Sequence, residues 1–225
     1  MTGEVLTDWR SAAVGGRMRA TLGLLEKLTL APGEVAGEDL AELRAAGLSD
    51  RAILDAAYVC VGFNIITRIA NALGFKVPPD EVFARASRYL TVFGYNILSG
   101  FWARGIYQQL VALLPVNRSA EGGRFLGDPY EKKLALLRKS VLSEPGALDP
   151  SVRRAICDGH ELPDPLGAYV GKVAEHAHAV SDEDIAELHR AGYTDDQVFE
   201  ATVSAALGAG LFRLGRILAA LSPAP

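Results

Sequence analysis

The chain has 225 residues, of which 49% are hydrophobic and only 8% aromatic, and it carries a formal net charge of −4. There is enough apolar material for one large domain or two small ones, and the alanine- and leucine-rich share favours helix. A pI near 5.6 leaves no basic face to displace counterions, which argues against a nucleic-acid partner, and two cysteines are too few for a disulfide framework.

In chain order, the N-terminal "MTGEVLTDWRSAAVGG" has no apolar run of the kind that opens a secretory signal. With only Cys60 and Cys157, a reducing cytoplasm is the expected compartment. A short helix is predicted from about residue 38 to residue 46, acidic at its start. Gly47 is placed to end it in the left-handed conformation. Ser49 then caps a long apolar helix over 50–73, with Gly74 as its stop. The next segment, "PPDEVFARASRYLTVFGYNILSGFW", reads as a helix with Pro79 at its first position. Residues 117–128, "NRSAEGGRFLGD", read as a linker or mobile loop. Three Asp-Pro steps follow, at Asp128–Pro129, Asp149–Pro150 and Asp164–Pro165, each read as a helix start rather than a catalytic acid. The chain closes with a short helix over 182–191, a glycine at Gly192, and a long apolar helix over 195–221. Ser181 with Asp184 and Thr194 with Gln197 form capping-box patterns at the two starts. No alternating strand pattern persists, so the expected fold is all-α.

The closing segment repeats an earlier one. Residues 35–75 align on 180–220 without gaps, with twelve of 41 positions identical, among them Gly47/Gly192, Asp50/Asp195 and Arg68/Arg213. Such self-similarity is expected of a duplicated structural unit. The organisation read from it is a first helical unit over 1–116, the linker over 117–128 and a second unit over 129–225. The two are expected to pack as one compact all-α body.

Chemistry is concentrated on the first long helix. Cys60, Asn64, Arg68 and Asn71 are spaced by 4, 4 and 3 residues and share one face. The second copy has Ala205, Ala209, Arg213 and Arg216 there. One reading has Arg68 and Arg213 ion-paired with an acid of a neighbouring helix, with Glu38, Asp39, Glu42 and their copies as partners. The other has Tyr58, Cys60, Asn64 and Arg68 lining a pocket for a small anionic or oxidised ligand. Cys60 by itself reads as a small buried apolar residue. The small-residue run "SAALGAGLF" over 204–212 fits close helix–helix or subunit contact. "CDGH", Cys157 to His160, flanks a helix end with no further ligands near it in sequence. His176 and His178, two apart, would point in different directions on a helix. No metal site, phosphate-binding glycine loop or nucleophile elbow is read from the chain, and no cofactor is expected. Arginines inside both long apolar stretches favour buried helices over membrane spans.

Residues 25–75, through "LTL", "LRAAGLSD", "AILDA" and "FNIITRIANALG", resemble the AhpD-like, or carboxymuconolactone decarboxylase-like, superfamily, in its peroxidase-related branch. "VSDEDIAELHRAGYTDDQVFEATVSAALGAGLFRL" resembles a second member. The resemblance implies an all-helical fold built from this repeat, usually in homo-oligomers. It also implies peroxide reduction by a Cys-x-x-Cys pair with a histidine. The matching cysteine slots hold Pro32 and Val35, then Ala177 and Val180, and the histidine slots hold Asp39 and Asp184. The redox motif is therefore absent from both copies, and no catalytic residue carries over. The function expected is action on, or binding of, a small organic molecule. The alternative is a non-catalytic ligand-binding or oligomeric scaffold, with a single-cysteine peroxidase ranked last.

Overall fold

In a computed structural model, residues 2–76, 79, 81–82 and 129–222 are described. The predicted loop over 117–128 and nearly all of the helix predicted from Pro79 onward lie outside those residues. Nine α-helices and two single 3-10 turns are found among the described residues, and no strand, so the fold is all-α. Residues 1–74 and 145–225 form one compact unit, and residues 75–144 form another.

The larger unit is built as follows. Helix α1 spans Thr2–Asp8 and α2 spans Gly16–Leu30; a 3-10 turn at Pro32–Glu34 leads to α3, Gly37–Ala45, and then to α4, Asp50–Ala72. In the smaller unit the described helix is α5, Pro129–Leu142. The larger unit resumes with α6, Pro150–Cys157, and α7, Leu166–His176. A 3-10 turn at Ala177–Ala179, then α8, Asp182–Arg190, and α9, Asp195–Leu221, complete it.

Local chemistry accounts for most of these boundaries. Ser49 accepts from the Ala52 N–H at the start of α4, and Thr194 accepts from the Gln197 N–H at the start of α9. Gly47 and Gly192, at φ +88° and +93°, terminate α3 and α8 in the left-handed region, where a side chain would be strained. Asp149 caps α6 through the Ser151 N–H, with Pro150 first in the helix as predicted. At α7 the expectation needs correction: Pro165 takes the cap position itself rather than the first turn. Asp164 still serves the helix, accepting from the Ala168 N–H at 2.9 Å.

Corresponding elements fall at one offset of 145 residues. Pro32–Glu34 matches Ala177–Ala179, Gly37–Ala45 matches Asp182–Arg190, and α4 and α9 start at Asp50 and Asp195. Side-chain contacts follow the same offset. Lys27 bonds Asp39 at 2.8 Å, and Lys172 bonds Asp184 at 2.5 Å. Each of those aspartates also accepts a backbone N–H three residues before it, from Ala36 and Ser181.

The two long helices pack on each other at the centre of the unit. A Cβ added at Gly210 of α9 would lie 2.6 Å from a carbon of Ile65, so the missing side chain sets the approach of α9 to α4. Ile65 and Gly210 are themselves 145 apart. At Gly208 an added Cβ would come within 2.3 Å of the Cys157 carbonyl oxygen, so α6 also rests on bare backbone of α9. The small-residue run thus serves helix–helix contact within the chain. Leu28, Val35, Leu40, Ile53 and Leu54 fill the core beside α4. Tyr169, Val173, Leu188, Ala201 and Ile217 are buried to the same degree at α7, α8 and α9. By length and composition α4 and α9 could each cross a membrane, but half of α9's most apolar window and a third of α4's are already buried inside the protein.

Candidate functional site

A polar chain runs through this apolar centre. Asn64 is 7% exposed and donates to the Cys60 carbonyl at 3.0 Å, to the Cys60 Sγ at 3.3 Å and to the Thr29 hydroxyl at 3.3 Å. Its own side-chain oxygen accepts from Arg68 Nη1 at 2.8 Å. Thr29 Oγ1 and Cys60 Sγ lie 3.5 Å apart. Every donor and acceptor of the buried amide is therefore engaged, which is what makes such a group tolerable in a core.

Helical spacing explains how the face is assembled. Residues 60, 64 and 68 are successive turns of α4, and Thr29 is supplied by the last turn of α2. Of the four residues predicted to line a pocket, Cys60, Asn64 and Arg68 are brought together. Tyr58, two residues before Cys60, sits about 200° away around α4 and is half-buried there. Asn71, the fourth residue of the predicted stripe, is exposed near the helix end.

The arginines correct one expectation. Neither Arg68 nor Arg213 pairs with Glu38, Asp39, Glu42 or their copies. Asp39 and Asp184 are already held by Lys27 and Lys172, and Glu38 and Glu42 are exposed. Arg68 Nε instead donates to the Ala174 carbonyl at 3.0 Å, in the last turn of α7. Arg213 Nη2 donates to the Thr29 carbonyl at 3.0 Å, in the last turn of α2. Residues 29 and 174 are 145 apart, as are 68 and 213, so the two contacts are reciprocal. Each arginine also bonds the carbonyl four residues before it, Asn64 or Ala209. Helix C-termini are electronegative and leave carbonyls unpaired, so they are sound acceptors for a buried guanidinium. Arg216, one turn further on, extends the pattern to the Gly33 and Val35 carbonyls.

The electrostatics of the centre are lopsided. Arg68 and Arg213 meet no carboxylate among the described residues. Burial lowers the pKa of Arg68. For Arg213, burial first and the positive charge of Arg68 second lower it to about 10. Arg213 is 7% exposed, and its Nε has no acceptor among the described residues. Thr29 is a site residue that sequence reading missed, and Arg213 one that it read only as an ion-pair member. A single hydroxyl in "LLEKLTL" was the only sign of the first, and the shared Arg68/Arg213 position the only sign of the second.

Other sequence candidates stay apart from this centre. Cys157 is buried and forms no disulfide with Cys60. Cys157 ends α6, and the His160 N–H bonds the Ala155 carbonyl in the turn that follows. His176 and His178 do meet, edge to face with ring centroids 6.1 Å apart, because α7 ends at His176 and the 3-10 turn changes the direction of the next side chains. Among the described residues no group of three or more His, Cys, Asp or Glu is arranged to hold a metal ion.

No family model matches the chain, and neither the curated proteins nor the solved structures contain a significant match to it.

Proposed function

We propose that the protein is a divergent, duplicated AhpD-like protein without the thiol redox motif, and that it binds or acts on a small organic molecule at the centre formed by Thr29, Cys60, Asn64 and Arg68. The observation that carries this reading is the polar chain itself. A helix core needs no thiol and amide in hydrogen-bonded series with a guanidinium, and the corresponding face of α9 keeps its arginine, Arg213, without them, with Ala205 and Ala209 in place of Cys60 and Asn64. Buried polar networks are costly unless fully satisfied, and they recur where a ligand is recognised. The duplication is supported by the constant offset of 145 residues in both elements and contacts. A cytoplasmic, homo-oligomeric protein is the setting we infer from the resemblance.

Native mass spectrometry of the full chain purified without denaturant tests the reading. A bound small molecule is expected in the wild type and absent from Asn64→Ala. A bare chain in both would favour the scaffold reading. The reciprocal arginine contacts speak for that second reading, because they tie the helices together without any ligand.

A further inference from the structure

Two guanidinium groups are carried into the centre with only neutral acceptors around them among the described residues. A buried charge bonded to carbonyls alone retains much of its desolvation cost, and a second like charge adds to it. Arg68 is bonded to the carbonyls of Asn64 and Ala174 and to the Asn64 amide oxygen. Arg213 is bonded to the carbonyls of Ala209 and Thr29, and its Nε–H has no acceptor among the described residues. Arg216 Nε, one turn further along α9, is a second buried donor without an acceptor among the described residues. The flanking positions Val61, Ile65, Gly210 and Leu214 are apolar.

We propose that Arg68 and Arg213 together bind a small carboxylate, with the unpartnered Nε–H of Arg213 as its principal donor. This rests on the reading of the polar chain as a binding site and narrows its ligand to an organic acid. A carboxylate has two coplanar acceptor oxygens that match the planar edge of a guanidinium. Its single charge offsets part of the excess at the centre, and it is less costly to dehydrate among apolar side chains than a phosphate dianion. Cys60 and Asn64 then border the bound acid and select what is attached to it.

The test uses the full chain with ¹⁵N-labelled arginine. Its Nε–H resonances are followed as sodium formate replaces sodium chloride at constant ionic strength. A probe of three heavy atoms binds no more tightly than about 1 mM, so the titration runs to about 100 mM. One resonance, identified as Arg213 by its loss in Arg213→Lys, is expected to shift saturably with formate and with acetate. Arg68→Gln should weaken that response at least tenfold. An Arg213 resonance indifferent to formate, or moved equally by chloride, would overturn the proposal. Should either variant fail to fold, the wild type alone decides: formate raises the urea midpoint above that in chloride, and equal midpoints reject the site. A bound neutral molecule lost in Asn64→Ala, together with a silent Nε–H, would remove the carboxylate and leave the broader reading standing. A bare chain with a silent Nε–H would remove both.

Discussion

The stretch from α2 to α4 and the stretch from α7 to α9 use one plan for different ends. Both have the lysine–aspartate pair, the glycine stop, the capped long helix and the inward arginine. In the second, α9 is packed closely, with Gly208 against the Cys157 carbonyl and Gly210 against Ile65. In the first, Phe63, the counterpart of Gly208, is 65% exposed, as are Val59 and Ile66 to similar degrees. The polar groups divide as well. The first stretch has Thr29, Cys60 and Asn64 where the second has alanines. The second has a buried Tyr169–Thr202 bond of 2.6 Å where the first has Leu24 and Ala57. Elements at matching positions thus carry different side chains: the second stretch supplies the close packing and the first the hydrogen-bonding chemistry.

Substitutions at paired positions can break this contrast. The largest effect is expected at Gly208→Ala, whose Cβ meets a backbone oxygen that cannot step aside. A loss of about 3 kcal/mol or more in urea unfolding is the expected result, against little change for the counterpart Phe63→Ala. A mild effect at Gly208 would mean that α6 is not seated on α9. Next comes Asn64→Ala, which gives the first stretch the alanine of the second. It removes a charge-assisted partner of Arg68 and should cost about 2 kcal/mol. An unchanged midpoint would show that the amide contributes nothing to holding Arg68.

Tyr169→Phe is expected to cost about 1 kcal/mol. Its pH dependence sharpens the comparison. Burial first, and the negative charge of Asp184, raise the Tyr169 pKa, while the hydrogen bond to Thr202 pulls it down. The unfolded phenol titrates near its usual value of about 10. The Tyr169 contribution is therefore complete below that pH and is lost as pH rises through the higher folded value. Wild-type stability should fall more steeply above pH 10 than that of Tyr169→Phe; parallel curves would count against a buried phenol. The smallest effects belong to the exposed pair His189–Asp195, the counterpart of Arg44–Asp50. His189→Ala should change stability by no more than about 0.5 kcal/mol. Gly62→Ala, with open space at its Cβ, should stabilise α4 by about 0.5 kcal/mol.

Features set by near neighbours were the legible ones. Ser49, Ser181 and Thr194 announce helix starts, Gly47, Gly74 and Gly192 announce stops, and the predicted span of α9 agrees with the one found. The start of α2 gave no such signal, since Gly15 caps it without any side-chain bond. The arginine partners were misjudged for a physical reason. A carboxylate is visible in a sequence, whereas a backbone carbonyl freed at a helix end has no residue type of its own. The face shared by Cys60, Asn64 and Arg68 followed from helical spacing, while Thr29 comes from another helix and could not be placed by period alone.

The reciprocal arginine contacts also bear on the order of events during synthesis. Arg68 reaches an acceptor 106 residues downstream, and Arg213 reaches one 184 residues upstream. A nascent chain that has emerged only through α4 has neither contact, and Arg68 lacks its interhelical acceptor until α7 has been made. Closure of the core around α4 therefore waits on α7 and α9, and each of these two contacts carries the loop-closure cost of more than a hundred residues.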